Sequence, residues 1–177
     1  MRLVLAAAVL LAVPASAQTD WPTADPADVE SIDAIMSAVY EVISGPATQE
    51  RDWDRFRSLL HPQARLIPTG RRDDAGVASV LSVDDYVERA AATFRDAPLF
   101  QGKGFFETEA ARRIERYGSI AHIWSTYESR LDPDEVPFAR GINSFQLFWD
   151  GRRWHVLTIY WEQESEATPI PDVYLVD

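Results

Sequence analysis

The feature that most constrains this chain is a change of hydrophobic period near residue 105. Before it, apolar residues recur at three- and four-residue steps; after it, they alternate with polar ones. Three-to-four spacing lines one face of a helix, whereas alternation lines one face of a strand. Helices first and strands afterwards predict an α+β domain, not a parallel α/β one.

The helical half has three expected members. Asp25 followed by Pro26 is a helix start, and Val29, Ile32, Ile35, Met36, Val39, Tyr40 and Ile43 then recur on one face until Ser44-Gly45-Pro46 stops the helix. The second, "TQERDWDRFRSLL", places Trp53, Phe56, Leu59 and Leu60 together and ends at His61-Pro62. Ser82 with Asp85 three residues on opens the third, which runs to about Asp96. Between the last two, "ARLIPTG" reads as a short strand that Pro68 confines to an edge or a strand end. Residues 71–81 read as a loop, either a lid or a surface crossing, with a short strand at 77–81.

Four strands are expected after the change, at 105–116, 119–130, 139–149 and 153–162. Tyr117-Gly118 joins the first pair, and Asp150-Gly151 is a two-residue hairpin signal. The acidic loop "LDPDEVPF" holds two prolines and cannot be a central strand. No repeat and no linker interrupts the pattern, so one domain is expected.

The first 17 residues combine Arg2, an apolar run from Leu3 to Val13 and the small pair Ala15 and Ala17. This predicts a cleaved secretory signal with the mature chain starting at Gln18. That apolar run is shorter than the ~20 residues a membrane span needs. The expected divisions are therefore a signal at 1–17, a flexible lead-in at 18–26, the domain at 27–163 and a C-terminal tail at 164–177, in an exported, periplasmic or secreted protein with no membrane association after cleavage. The formal charge of −11, one unit more negative without Arg2, and the lack of a basic cluster exclude nucleic acid as an expected partner. With no cysteine in the chain, disulfides, thiolate catalysis and cysteine metal sites are excluded. His61, His122 and His155 lack metal-ligand spacing, so no metal or other cofactor is expected.

Three stretches, "RDWDRFRSLLHPQARLIPTG", "GSIAHIWSTYESR" and "FQLFWDGRRWHVLTIYWE", together resemble the NTF2-like superfamily, which includes the SnoaL-like proteins, ketosteroid isomerase and scytalone dehydratase. The resemblance covers about residues 27 to 163. It implies a cone-shaped barrel, with three N-terminal helices packed on a curved antiparallel sheet and a pocket at the open end. It specifies function poorly, because this fold hosts many chemistries. The isomerases place a base carboxylate on the first strand after helix two, where this chain has "ARLIPTG" with no acid. The resemblance implies that Tyr40, on the first helix, approximates their phenol donor, with a core residue as the other reading.

Strand parity sorts the polar residues. Ala121, Ile123, Ser125 and Tyr127 share one face and His122, Trp124, Thr126 and Glu128 the other, so a Ser125–His122 pair is excluded unless a bulge intervenes. The small residues put the first set on the concave side. The expected ligand pocket comprises Tyr40, Trp53, Phe94, Phe106, Tyr127, Asn143 or Ser144, Thr158 and Tyr160. Tyr40, Tyr127, Glu128 and Glu162 are the candidates for acid and base. Arg140 is either half of a cross-strand pair with Glu128 or an anion clamp at the rim. Because the last strand carries large apolar groups on both faces, a homodimer through the convex face is expected. Three functions stay open: a binder of a small, mainly apolar ligand, a lyase or isomerase acting on one, and an interaction module with a filled cone. Pocket volume separates the third from the others, and a buried carboxylate facing the pocket separates the second from the first.

Overall fold

The structure is a computed structural model that describes residues 21–73 and 75–176. The expected signal at 1–17 and the first residues of the lead-in lie outside the described residues.

The first expected helix is two. Helix α1 (Pro26–Val29) is capped by Asp25, and α2 (Ile32–Ile43) restarts at Ser31, whose hydroxyl accepts from the Ala34 amide at 3.0 Å. The serine competes for backbone donors, so the periodic face continues while the helix breaks. Helix α3 (Trp53–Leu59) runs directly into strand β1 (Leu60–Arg72), which turns at Asp73 into the short β2 (Ala75–Ala78). The expected loop at 71–81 is thus largely a hairpin, and Pro68 lies inside β1, its carbonyl accepting from the Ser79 amide. Helix α4 (Val83–Asp96) opens with the Ser82–Asp85 capping box.

Strands β3 (Phe106–Tyr117), β4 (Ile120–Arg130), β5 (Ala139–Trp149) and β6 (Trp154–Gln163) form the expected meander. Gly118 (φ 55°) and Gly151 (φ 96°) take the left-handed turn positions, and the Asp150 carboxyl accepts from the Arg152 and Arg153 amides. The sheet order is β2-β1-β6-β5-β4-β3, with β1 parallel to β6. The sheet is therefore mixed, not purely antiparallel, and it curves without closing. Helix α2 lies in its concavity, and Ile35, Met36 and Val39 join Ile123, Phe145, Leu147 and Val156 in the core.

Two bulges decide what faces inward. Across β3 and β4 the pairing is regular from Tyr117↔Ile120 to Ala111↔Thr126, then shifts so that Glu109 meets Tyr127 and Glu107 meets Ser129. Across β5 and β6, Leu147 meets Val156 but Gln146 meets Thr158. Each extra residue, Ala110 or Leu157, reverses the strand's faces beyond it. Inward-facing Trp154 and Val156 are therefore followed by inward-facing Ile159 and Trp161.

The tail crosses the convex face. The Tyr174 ring lies 5.6 Å from Trp124, and Thr126 donates to the Tyr174 carbonyl. At the start of the tail, Glu164 holds Arg140 at 2.6 Å and accepts from the Ile170 amide.

Candidate functional site

The concave side encloses a cavity of about 240 Å³. Its walls are mainly aromatic, with Phe56, Phe94, Phe100, Phe105, Phe138 and Trp161 among them. One carboxyl group, that of Glu107, is set into this apolar lining.

Glu107 is positioned by the junction of α2 and β3. Gly45 and Phe105 exchange two backbone hydrogen bonds, and the Ser44 hydroxyl accepts from the Glu107 amide at 2.9 Å. The bulge at Ala110 then turns Glu107 and Glu109 toward the helices. Glu107 is half-buried and lines the cavity. Burial pushes its carboxyl from the ordinary 4.5 up to about 7, against hydrogen bonds from Ser129 (2.8 Å) and Asn143 that favour the charged form.

The cavity has three phenols, and they are not equivalent. Asn143 donates to the Tyr40 oxygen at 3.1 Å, and Ser125 gives its one hydroxyl proton to Glu109. The 2.6 Å contact between Tyr40 and Ser125 therefore has Tyr40 as donor. The Tyr40 proton points away from the cavity, toward Glu109, which Arg112 holds in an ion pair. The Tyr86 and Tyr127 hydroxyls have no hydrogen-bond partner among the described residues. Burial first, then the Glu107 charge, pushes both of these phenols up. Each can donate to an oxygen placed in the cavity.

Of the residues expected in the pocket, Tyr40, Phe94, Tyr127 and Asn143 line it. Phe106 does not; its neighbours Phe105 and Glu107 do, because of the bulge at Ala110. Thr158 and Tyr160 are displaced in the same way by Ile159 and Trp161, and Tyr160 stands 47 % exposed on the convex side. Ser144 also points outward, 3.0 Å from His122 Nε2. Trp53 stacks on Phe94 and lines a neighbouring cleft instead.

Neither expected base reaches the cavity. Glu128 lies outward and is bound by Arg130, while Glu162 sits beside the Thr69 hydroxyl at 3.4 Å. Arg140 faces Glu128 in the register but pairs with Glu164. The sequence reading missed Glu107 and Tyr86. Two acids spaced i and i+2 in "FETE", opposite a strand whose inner face is polar, were the available signal for the first.

No family model matches the chain, and no curated protein matches it. Solved structures do. A protein of unknown function with a cystatin-like fold from Nostoc punctiforme PCC 73102 superposes with a TM-score of 0.57 at 9 % identity, over 76 % of this chain and 90 % of that one. An NTF2-like protein of unknown function from Pseudomonas putida KT2440 gives 0.56 at 10 %, over 79 % and 90 %. A protein from Novosphingobium aromaticivorans DSM 12444, assigned as the beta subunit of an aromatic-ring-hydroxylating dioxygenase, gives 0.57 at 14 %, over 80 % and 95 %. At such identities the likeness is one of fold, and the chain has the NTF2-like α+β cone fold.

Proposed function

We propose that this chain is an exported protein that takes a compact, mainly apolar molecule into its cone and exchanges a proton with it through Glu107, as an isomerase or lyase does. One observation carries the reading: a lone carboxyl with a pKa of about 7 faces an aromatic cavity beside two phenols with free hydroxyls. A base poised near neutrality is half ionised where it works. Glu107 would remove a proton from the carbon next to a carbonyl. The electron pair left behind moves to the carbonyl oxygen, where Tyr86 and Tyr127 donate to the developing charge. The proton then returns from Glu107 to the same or a neighbouring carbon.

The volume supports a ligand of one ring. About 240 Å³ exceeds the ~150 Å³ that accommodates benzene and falls short of the ~300 Å³ at which drug-sized pockets begin. It weighs against a filled cone. Export is supported by the pattern of the first 17 residues. A homodimer is supported by an apolar groove on the convex side, which Trp124 and Tyr160 line together with Pro169 and Ile170 of the tail. Sedimentation at micromolar concentration is expected to give twice the chain mass, and a monomer removes the dimer.

The proton-transfer reading is tested on protein recovered from the cell envelope, whose intact mass is expected to start at Gln18; protein found only inside the cell with residues 1–17 retained overturns export. Incubation with small cyclic ketones in deuterated buffer is followed by proton NMR. Deuterium is expected to enter next to the carbonyl at a rate rising through pH 7, with loss in Glu107→Gln and a drop of about tenfold or more in Tyr127→Phe. Binding with exchange no faster than in Glu107→Gln leaves a carrier and removes the enzyme.

A further inference from the structure

The cavity shares a wall with a second, larger space. Phe94, Phe100 and Phe105 line the cavity and also a cleft of about 640 Å³ on their other side. Their ring centres are 5.2 to 5.8 Å apart, so a single layer of rings separates the two.

The charge of this cleft runs against that of the chain. Arg51, Arg95 and Lys103 line it with one acid, Glu50, although the chain as a whole carries −11. Asp96 neutralises Arg95 through two hydrogen bonds. Arg51 is matched by no carboxyl group among the described residues. Its guanidinium donates to the backbone carbonyls of Ile43, Gly45 and Gln49 at 2.7 to 2.8 Å and lies 5.4 Å from the Phe94 ring centre. Burial lowers its pKa, with no carboxyl to offset that. The Lys103 ammonium is exposed and has no side-chain partner among the described residues. Such a part-buried cation, fixed in place and held only by carbonyl dipoles, lacks a counter-charge that a ligand can bring.

We propose that this cleft takes the anionic end of the ligand whose apolar end fills the cavity, so that the ligand class is a small ring joined by a short linker to a carboxylate. The proposal rests on the cavity reading above and names the substrate class for it. With a fourth, longer bond to the Pro46 carbonyl at 3.5 Å, four of the five guanidinium N–H groups are already used, so Arg51 keeps one donor and Lys103 adds three, a match for the roughly four lone-pair sites of a carboxylate and short of those on a phosphate. The linker has to pass the ring layer. Phe100 is the ring best placed to yield, since it ends the short turn Pro98–Phe100 just before Gly102 (φ 69°), outside the main helices and strands. An anion held there stays on the far side of the rings from Glu107.

The test uses the mature protein and two matched series, the acids from phenylacetate to 5-phenylpentanoate and the corresponding neutral alcohols, with affinities read by calorimetry. At one linker length the acid is expected to bind about tenfold tighter than its alcohol, a difference of about 1.4 kcal/mol, and to lose that advantage as salt rises. Lys103→Glu is expected to weaken the acid by about threefold to tenfold and leave the alcohol unchanged. Arg51→Gln also releases the loop it clamps, so the exposed Lys103 is the variant that decides. Alcohols binding as tightly as acids, or an acid affinity indifferent to Lys103→Glu, overturn the cleft and leave the cavity standing. Failure of both series to bind overturns the cavity and the cleft together.

Discussion

Glu107→Gln is expected to stabilise the protein at pH 8 and to leave it nearly unchanged at pH 4. A carboxyl raised from 4.5 to about 7 by folding keeps its proton more tightly in the native state. Its stabilising contribution is whole below pH 4.5 and is lost as pH rises through 7. The span corresponds to about 3 kcal/mol, a large share of the ~5–15 kcal/mol that holds a domain together. Glutamine stays neutral and can still accept from Ser129 and Asn143. Urea unfolding of both proteins from pH 4 to 8 is therefore expected to show midpoints that diverge above pH 5, with the variant higher. Parallel curves would mean that Glu107 is solvated, and the acid–base reading would fall with them. A gain in stability coupled to a loss of proton exchange is the pattern of a residue kept for its chemistry.

Gly141→Ala is expected to do the most damage of any one-methyl change in the sheet. Gly141 lies on β5 opposite Tyr127, and a Cβ there would sit 2.3 Å from the Glu162 carbonyl oxygen and 2.6 Å from the Tyr127 hydroxyl. Backbone on one side and a pocket phenol on the other leave no easy relief. Overpacking of this kind costs about 3 kcal/mol, or roughly 6–12 °C of melting temperature for a domain of this size. The shifted Tyr127 is expected to weaken ligand binding as well. Gly70→Ala is the control, since a Cβ at Gly70 meets nothing within 4 Å. Equal melting temperatures for the two variants would disprove the close approach.

The helices and the strand order in the chain were legible because burial imposes a period on each segment, and the ends of β4, β5 and β6 fall within a residue of where alternation and the Asp150-Gly151 turn put them. The inner face of β4 was legible for the same reason. What escaped was parity beyond the bulges. Counting back from Tyr117-Gly118 without one places Phe106 inward and Glu107 outward, and counting on from Trp154 places Thr158 and Tyr160 inward. One extra residue at Ala110 and one at Leu157 invert both results. A bulge leaves no mark in a hydrophobic pattern that is apolar on both faces, as β6 is, or charged on both, as β3 is. Tyr86 escaped because it lies on α4, a helix read only for its cap and length. The parallel pairing of β1 with β6 is a contact between the two halves of the chain that no local pattern encodes.

That pairing also orders events in time. Leu60 and Val156 are partners, and until β6 exists β1 pairs, among the described residues, with the four residues of β2 and through one bridge with Leu81. Closing so long a loop costs entropy before any contact repays it, which places the step late and makes it slow. A chain emerging N-terminus first presents its helices and β1 long before the hairpin that receives them. The concave core can assemble only once β6 is free to pair with β1, so the domain closes in one late step.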